Sequence, residues 1–97
     1  MSDFYIPPKN VKSPKGRISG EIKVLRDGGA GDWSLAKLIW DKKDTFGIRW
    51  NGNDENKGVG NPQSRGVPTW FILPSEICKL IEANMSVLCK DSSNTTN

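Results

Sequence analysis

The chain contains no histidine. That removes the commonest general base, the Ser/His and Cys/His nucleophile pairs and every histidine-bearing zinc site. Its two cysteines, Cys78 and Cys89, are too few thiolates to close a tetrahedral metal site. They lie eleven residues apart in a segment of helical periodicity, hence about 16 Å apart at helical rise. A disulfide spans roughly 7 Å between Cα atoms, so two reduced thiols are expected. No apolar run of signal-peptide length occupies the first fifteen residues, and no window approaches the roughly eighteen apolar residues of a membrane span. A cytoplasmic chain with no membrane contact is the expectation.

Charge of one sign is also scarce outside one segment. Residues 1–17 carry Lys9, Lys12, Lys15 and Arg17 against Asp3, a net of +3, while the other eighty residues hold ten charges of each sign. The whole imbalance sits in an N-terminal arm, residues 1–16 with Arg17 at its border. Those four cations are the part of the chain suited to seek phosphate. Pro7, Pro8 and Pro14 exclude a helix or a central strand there, so an extended or disordered leader is expected. Its apolar triplet Phe4-Tyr5-Ile6 is a possible pin onto the body.

At 97 residues and 10.7 kDa there is apolar surface for one core only. With 35% hydrophobic residues, 26% charged residues and a mean hydropathy of −0.55, the composition is that of a globular domain, not a membrane span, a coiled coil or a disordered polymer. Ile18, Ile22 and Val24 alternate with polar residues, the period of a half-buried strand, with Gly20 marking a bulge or a close backbone approach. Asp27 to Asp32, with three glycines, is a turn. Trp33 to Trp40 is apolar on both parities and predicts a strand buried on both faces. Asp41 to Asp44 reads as a four-residue hairpin connection. Thr45 to Trp50 then returns with Phe46, Ile48 and Trp50 inward and Thr45, Gly47 and Arg49 outward.

Residues 51–68 form a polar stretch of eighteen residues, longer than compact domains usually leave without structure or purpose. Thr69 to Leu73 predicts a short strand. From Pro74 to about Met85, the spacing of Ile77, Leu80, Ile81 and Met85 predicts a helix packed on the sheet. The globular body is placed at 17–88, and residues 89–97 read as a polar disordered tail. The fold class that follows is mainly β with one C-terminal helix (α+β): a small antiparallel sheet, SH3-like and partly open as a barrel, with a flat α+β sandwich as the alternative.

No catalytic constellation emerges. Gly58-Val59-Gly60 runs into Asn61-Pro62 rather than a helix, unlike a phosphate-binding loop. The spacing of Asp54 and Glu55 among Asn51, Asn53 and Asn56 is not that of a calcium loop. Ser64, Lys37 and Lys57 have no base or burial signal beside them, and an enzyme using Asp54, Glu55 or Lys57 is the least supported reading. No metal and no cofactor are expected.

Six of the eight aromatic residues fall between Trp33 and Phe71, and most are expected in the core. Trp50 and Trp70 bracket the polar stretch, so at one end of neighbouring strands they would flank its base. With Arg49, Arg65 and the hydrogen-bonding set Asn51, Asn53, Asn61, Gln63 and Ser64, they would make a site for a planar anionic ligand. The expected function is a non-enzymatic recognition module for nucleic acid or a nucleotide-like ligand, assisted by the basic arm. The alternative is a protein-interaction module, an inhibitor or adaptor, using the same surface.

Overall fold

The computed structural model describes residues 4–85. Cys89 and the expected tail at 89–97 lie outside them. Strands β1 (Ile18–Asp27), β2 (Trp33–Trp40) and β3 (Lys43–Trp50) form an antiparallel meander. A two-residue hairpin, β4 (Gln63–Ser64) with β5 (Val67–Pro68), forms a second small sheet. The short β6 (Phe71–Ile72) then pairs with β3, giving the order β1-β2-β3-β6, and helix α1 (Ser75–Ala83) ends the described chain. The sheet does not close, leaving a partly open α+β architecture of the class that the alternation predicts.

The register of β1 on β2 slips twice, between Ser19 and Lys23 and between Val24 and Arg26. Gly20 sits in the first slip at φ +69°, and a Cβ there would lie 3.3 Å from Ile39 Cδ1. The slip is the bulge that its glycine predicts. The β2–β3 connection is tighter than expected. It consists of Asp41 and Lys42 alone, both at positive φ, the geometry that matches the twist of a two-residue hairpin. Asp41 is held in this backbone region by Arg17, whose carbonyl accepts from its N–H and whose guanidinium donates to its carboxylate at 2.8 Å.

As expected, β2 is covered on both sides. On one face, Ala36 and Leu38 form the core with Val11, Ile22 and Trp70, flanked by Ile6, Ile18, Val24, Trp40 and Ile72. On the other, Leu35 and Phe46 are buried. Leu35, Leu38 and Phe46, fully buried, each contribute about 1.5–3 kcal/mol by leaving water.

Three further expectations about the fold fail, each for a physical reason. The arm is not a loose leader. Pro8 and Val11 are buried, Ile6 donates its N–H to the Gly58 carbonyl, and Trp70 Nε1 donates to the Val11 carbonyl at 2.7 Å. A proline-rich segment can lie on a core without a strand ladder, and a single valine carries no periodicity to announce it. The helix is shorter than expected and leaves its stripe largely open: Ile77 and Leu80 are exposed and none of its residues is fully buried. Its contact with the sheet runs through Cys78, 3.5 Å from Thr45 Oγ1. Finally, the face of β3 expected to be outside is a core face: Gly47 and Arg49 are buried, whereas Trp50, on the face of Phe46 and Ile48, is exposed.

Candidate aromatic cleft on the sheet

The polar stretch after β3 is structured by its own side chains. Asn51 is buried, accepting from Ser34 Oγ at 2.9 Å and donating to the Gly29 carbonyl at 2.8 Å. Asn53 caps a 3-10 turn over Asp54–Asn56 through a reciprocal pair, its Oδ1 accepting from Glu55 N–H and its own N–H donating to Asn56 Oδ1, both at 2.9 Å. Gln63 Oε1 accepts from Gly66 N–H across the β4–β5 turn, where Arg65 occupies the left-handed region at φ +54°. Three of the amides expected to read a ligand, Asn51, Asn53 and Gln63, thus bond to the protein itself, as Asn and Gln do in tight turns. Ser64 and Arg65 are exposed on that hairpin and do not line the cleft described below.

Arg49 organises this stretch from inside. Its guanidinium donates to the carbonyls of Val59, Pro62 and Thr69, the Pro62 contact being 3.2 Å. It is 3% exposed. Among the described residues the two ion pairs are Arg17–Asp41 and Arg26–Asp32, neither of which involves it, and its buried Nε has no hydrogen-bond partner. Burial pulls its pKa down to about 10, so it remains a cation at neutral pH. Three carbonyl dipoles solvate the charge without cancelling it.

Trp50 and Trp70 do not flank the stretch together. Trp70 belongs to the core, its ring lying over Gly47, where a Cβ would come within 3.1 Å of Cε3. A glycine on β3 opens room for the indole, and the Val11 carbonyl takes its N–H. Trp50 is 57% exposed.

The partners of Trp50 come from the strand register. Trp33 of β2 is directly across from it on one side and Asn61 on the other, and the adjoining row runs Leu35, Ile48, Phe71. Residues directly opposite in antiparallel strands share a face. The two rows bound a cleft of about 490 Å³ lined by Trp33, Ile48, Arg49, Trp50, Asn61, Pro62 and Phe71, within the size range of ligand sites, roughly 300–1,000 Å³. Phe71 is 59% exposed. Arg26 stacks on the Trp33 ring at 4.2 Å and lies 3.5 Å from Asp32.

Of the residues expected from sequence, the structure brings Arg49, Trp50 and Asn61 to this cleft. Lys9, Lys12 and Lys15 are exposed on the arm and do not line it. Arg17 is engaged with Asp41 and with the Trp40 ring, 5.9 Å away. Trp33, Ile48, Pro62 and Phe71 were missed. The hairpin register would have revealed Trp33, since counting back from a two-residue Asp41–Lys42 turn sets it opposite Trp50. Among the described residues, no helix is long and apolar enough to cross a membrane.

Comparison with known proteins yields no match: no family model fits the chain, and neither a curated protein nor a solved structure is significantly similar to it.

Proposed function

We propose that this chain is a non-enzymatic recognition module that binds nucleic acid or a nucleotide-like ligand through the Trp33–Trp50–Phe71 cleft. One observation carries the reading: the cleft is flanked by two aromatic side chains more than half exposed and counts Arg49 among its lining residues, an arginine that sends its guanidinium to the other side of the sheet and has no carboxylate partner among the described residues. Protein interior screens charge poorly, so the field of Arg49 reaches across the sheet to the cleft more strongly than it would through water. A planar group that stacks on indole and carries negative charge answers both features. The exposed Lys9, Lys12 and Lys15 supply further positive charge for a phosphate chain. Asn51, Asn53 and Gln63 support the site as scaffold. The cytoplasm, where such ligands are met, is the location this reading implies.

Titration of the indole fluorescence with single-stranded DNA, RNA and nucleotides at low ionic strength tests it. The expected result is quenching that weakens steeply as salt rises, because phosphate contacts release counterions. Unchanged fluorescence with every ligand removes the reading.

A second reading, a protein-interaction module, is favoured by the apolar character of the walls and by the balance of charge in the body. Exposed Trp and Phe in a cleft are frequent interface anchors. Salt separates the two, since docking of apolar side chains survives it.

A further inference from the structure

Asn61 is the one uncharged polar side chain among the residues lining the cleft. Its backbone is held on both sides: Trp50 N–H donates to its carbonyl at 2.7 Å and its own N–H donates to the Trp50 carbonyl at 3.0 Å. A reciprocal pair of this kind sets two Cα atoms about 5.5 Å apart with side chains on one face. Asn61 therefore presents its side chain on the same face as Trp50, its Cα held opposite that of Trp50 by backbone bonds. Elsewhere in this stretch, Asn51, Asn53, Asn56 and Gln63 bind backbone or side chains of the protein. Among the described residues the Asn61 side chain is exposed and makes no such bond.

We infer that the cleft receives one unpaired nucleobase at a time, its flat face on the exposed aromatic rings and its hydrogen-bonding edge read by the Asn61 amide, so that the chain selects single-stranded nucleic acid and prefers some bases over others. This rests on the nucleic-acid reading above. Stacking on Trp50 and Phe71 accepts any base, since every base has a π-face. Discrimination needs a donor and an acceptor at the edge, and an amide presents both in one plane. Charge complementarity supports the choice of a polyanion, because the cleft backs onto the uncompensated cation of Arg49. A duplex keeps its bases stacked within the helix and offers only their edges, which this predominantly apolar wall is poorly equipped to read.

The test uses the full chain and its Asn61→Ala variant, titrated by indole fluorescence with single-stranded oligo-dA, oligo-dC and oligo-dT and with a duplex. The wild type is expected to bind the three strands with affinities differing by about tenfold between best and worst, and to bind the duplex more weakly than its best strand. Asn61→Ala, an exposed substitution checked for unchanged thermal unfolding, is expected to bring the three within about twofold, mainly by weakening the best. Equal affinities in the wild type, a preference that survives Asn61→Ala, or a duplex bound as tightly as the strands overturns this inference and leaves the nucleic-acid reading standing. No quenching by any oligonucleotide at low salt overturns both.

Discussion

Arg49 and Trp50, consecutive in β3, project to opposite sides of the sheet: the arginine is 3% exposed and the tryptophan 57%. A charged residue lies inside and a large indole outside, the reverse of the usual partition. The inversion has a local cause. Val59, Pro62 and Thr69 turn carbonyls toward Arg49, the Pro62 carbonyl also accepting from Thr69 N–H, and a guanidinium has the donors to reach all three. Filling that side with Arg49 sends Trp50 to the other, beside Trp33 and Phe71.

Arg49→Met keeps the length of the side chain and removes its donors. Three carbonyls then lose their charged partner, and the expected loss of stability is about 3 kcal/mol in urea unfolding. Arg49→Lys recovers only part of it, because an ammonium cannot span the same acceptors. Wild-type stability in the methionine variant would show that the clamp does not hold the stretch.

The two tryptophans expected to act together should behave differently. Trp70→Phe leaves the buried Val11 carbonyl without its donor and should cost about 2 kcal/mol, with faster proteolysis of the arm. Trp50→Ala should cost at most about 1 kcal/mol, the worth of its cross-strand pair with Trp33. Equal losses in thermal unfolding would contradict this division into core and surface.

Gly60 stands at φ +68°, and a Cβ on it would collide with the Trp50 carbonyl and lie 2.6 Å from Gly52 N. Both neighbours are backbone. Gly60→Ala should therefore destabilise by about 3 kcal/mol and displace Asn61 and Pro62 from the cleft. The readouts are denaturant unfolding and the Trp50 emission maximum. Unfolding and emission like the wild type would show that the chain crossing there can relax.

Tyr5 is the single tyrosine, so phenolate absorbance reports on it alone. Burial, then its hydrogen bond to Asp27, then the Asp27 charge raise its pKa above the ordinary 10.0. The folded state thus favours the protonated phenol. Its contribution to arm docking is whole below the ordinary value and is lost as pH rises through the higher folded one. The absorbance midpoint should lie above 10.0 and fall in Asp27→Asn. A midpoint at or below the ordinary value in the folded chain would show the arm undocked.

The fold was legible where periodicity was clear. Trp33 to Trp40 reads as a two-sided strand because both parities are apolar, and it is one. What escaped reading was governed by contacts distant in sequence. Val11 has no apolar neighbours to mark it, yet it accepts from Trp70, 59 residues away. Thr45 to Trp50 alternates in the correct period, but period alone does not say which face is wet when an arginine can be solvated by carbonyls. The polarity of residues 51–68 was visible, whereas its use for internal capping depended on turns that only the folded backbone defines. Of the candidate site, Trp50, Asn61 and Arg49 were reachable from sequence. Trp33 and Phe71 required the register that a two-residue turn imposes.

The most direct measurement is a fluorescence or calorimetric titration of the wild type and Trp50→Ala with a single-stranded oligonucleotide at low salt, both proteins verified as folded. The exposed indole is expected to account for much of the affinity, so the variant should bind at least about tenfold more weakly. An affinity equal to that of the wild type would show that the aromatic cleft is not where this chain meets nucleic acid.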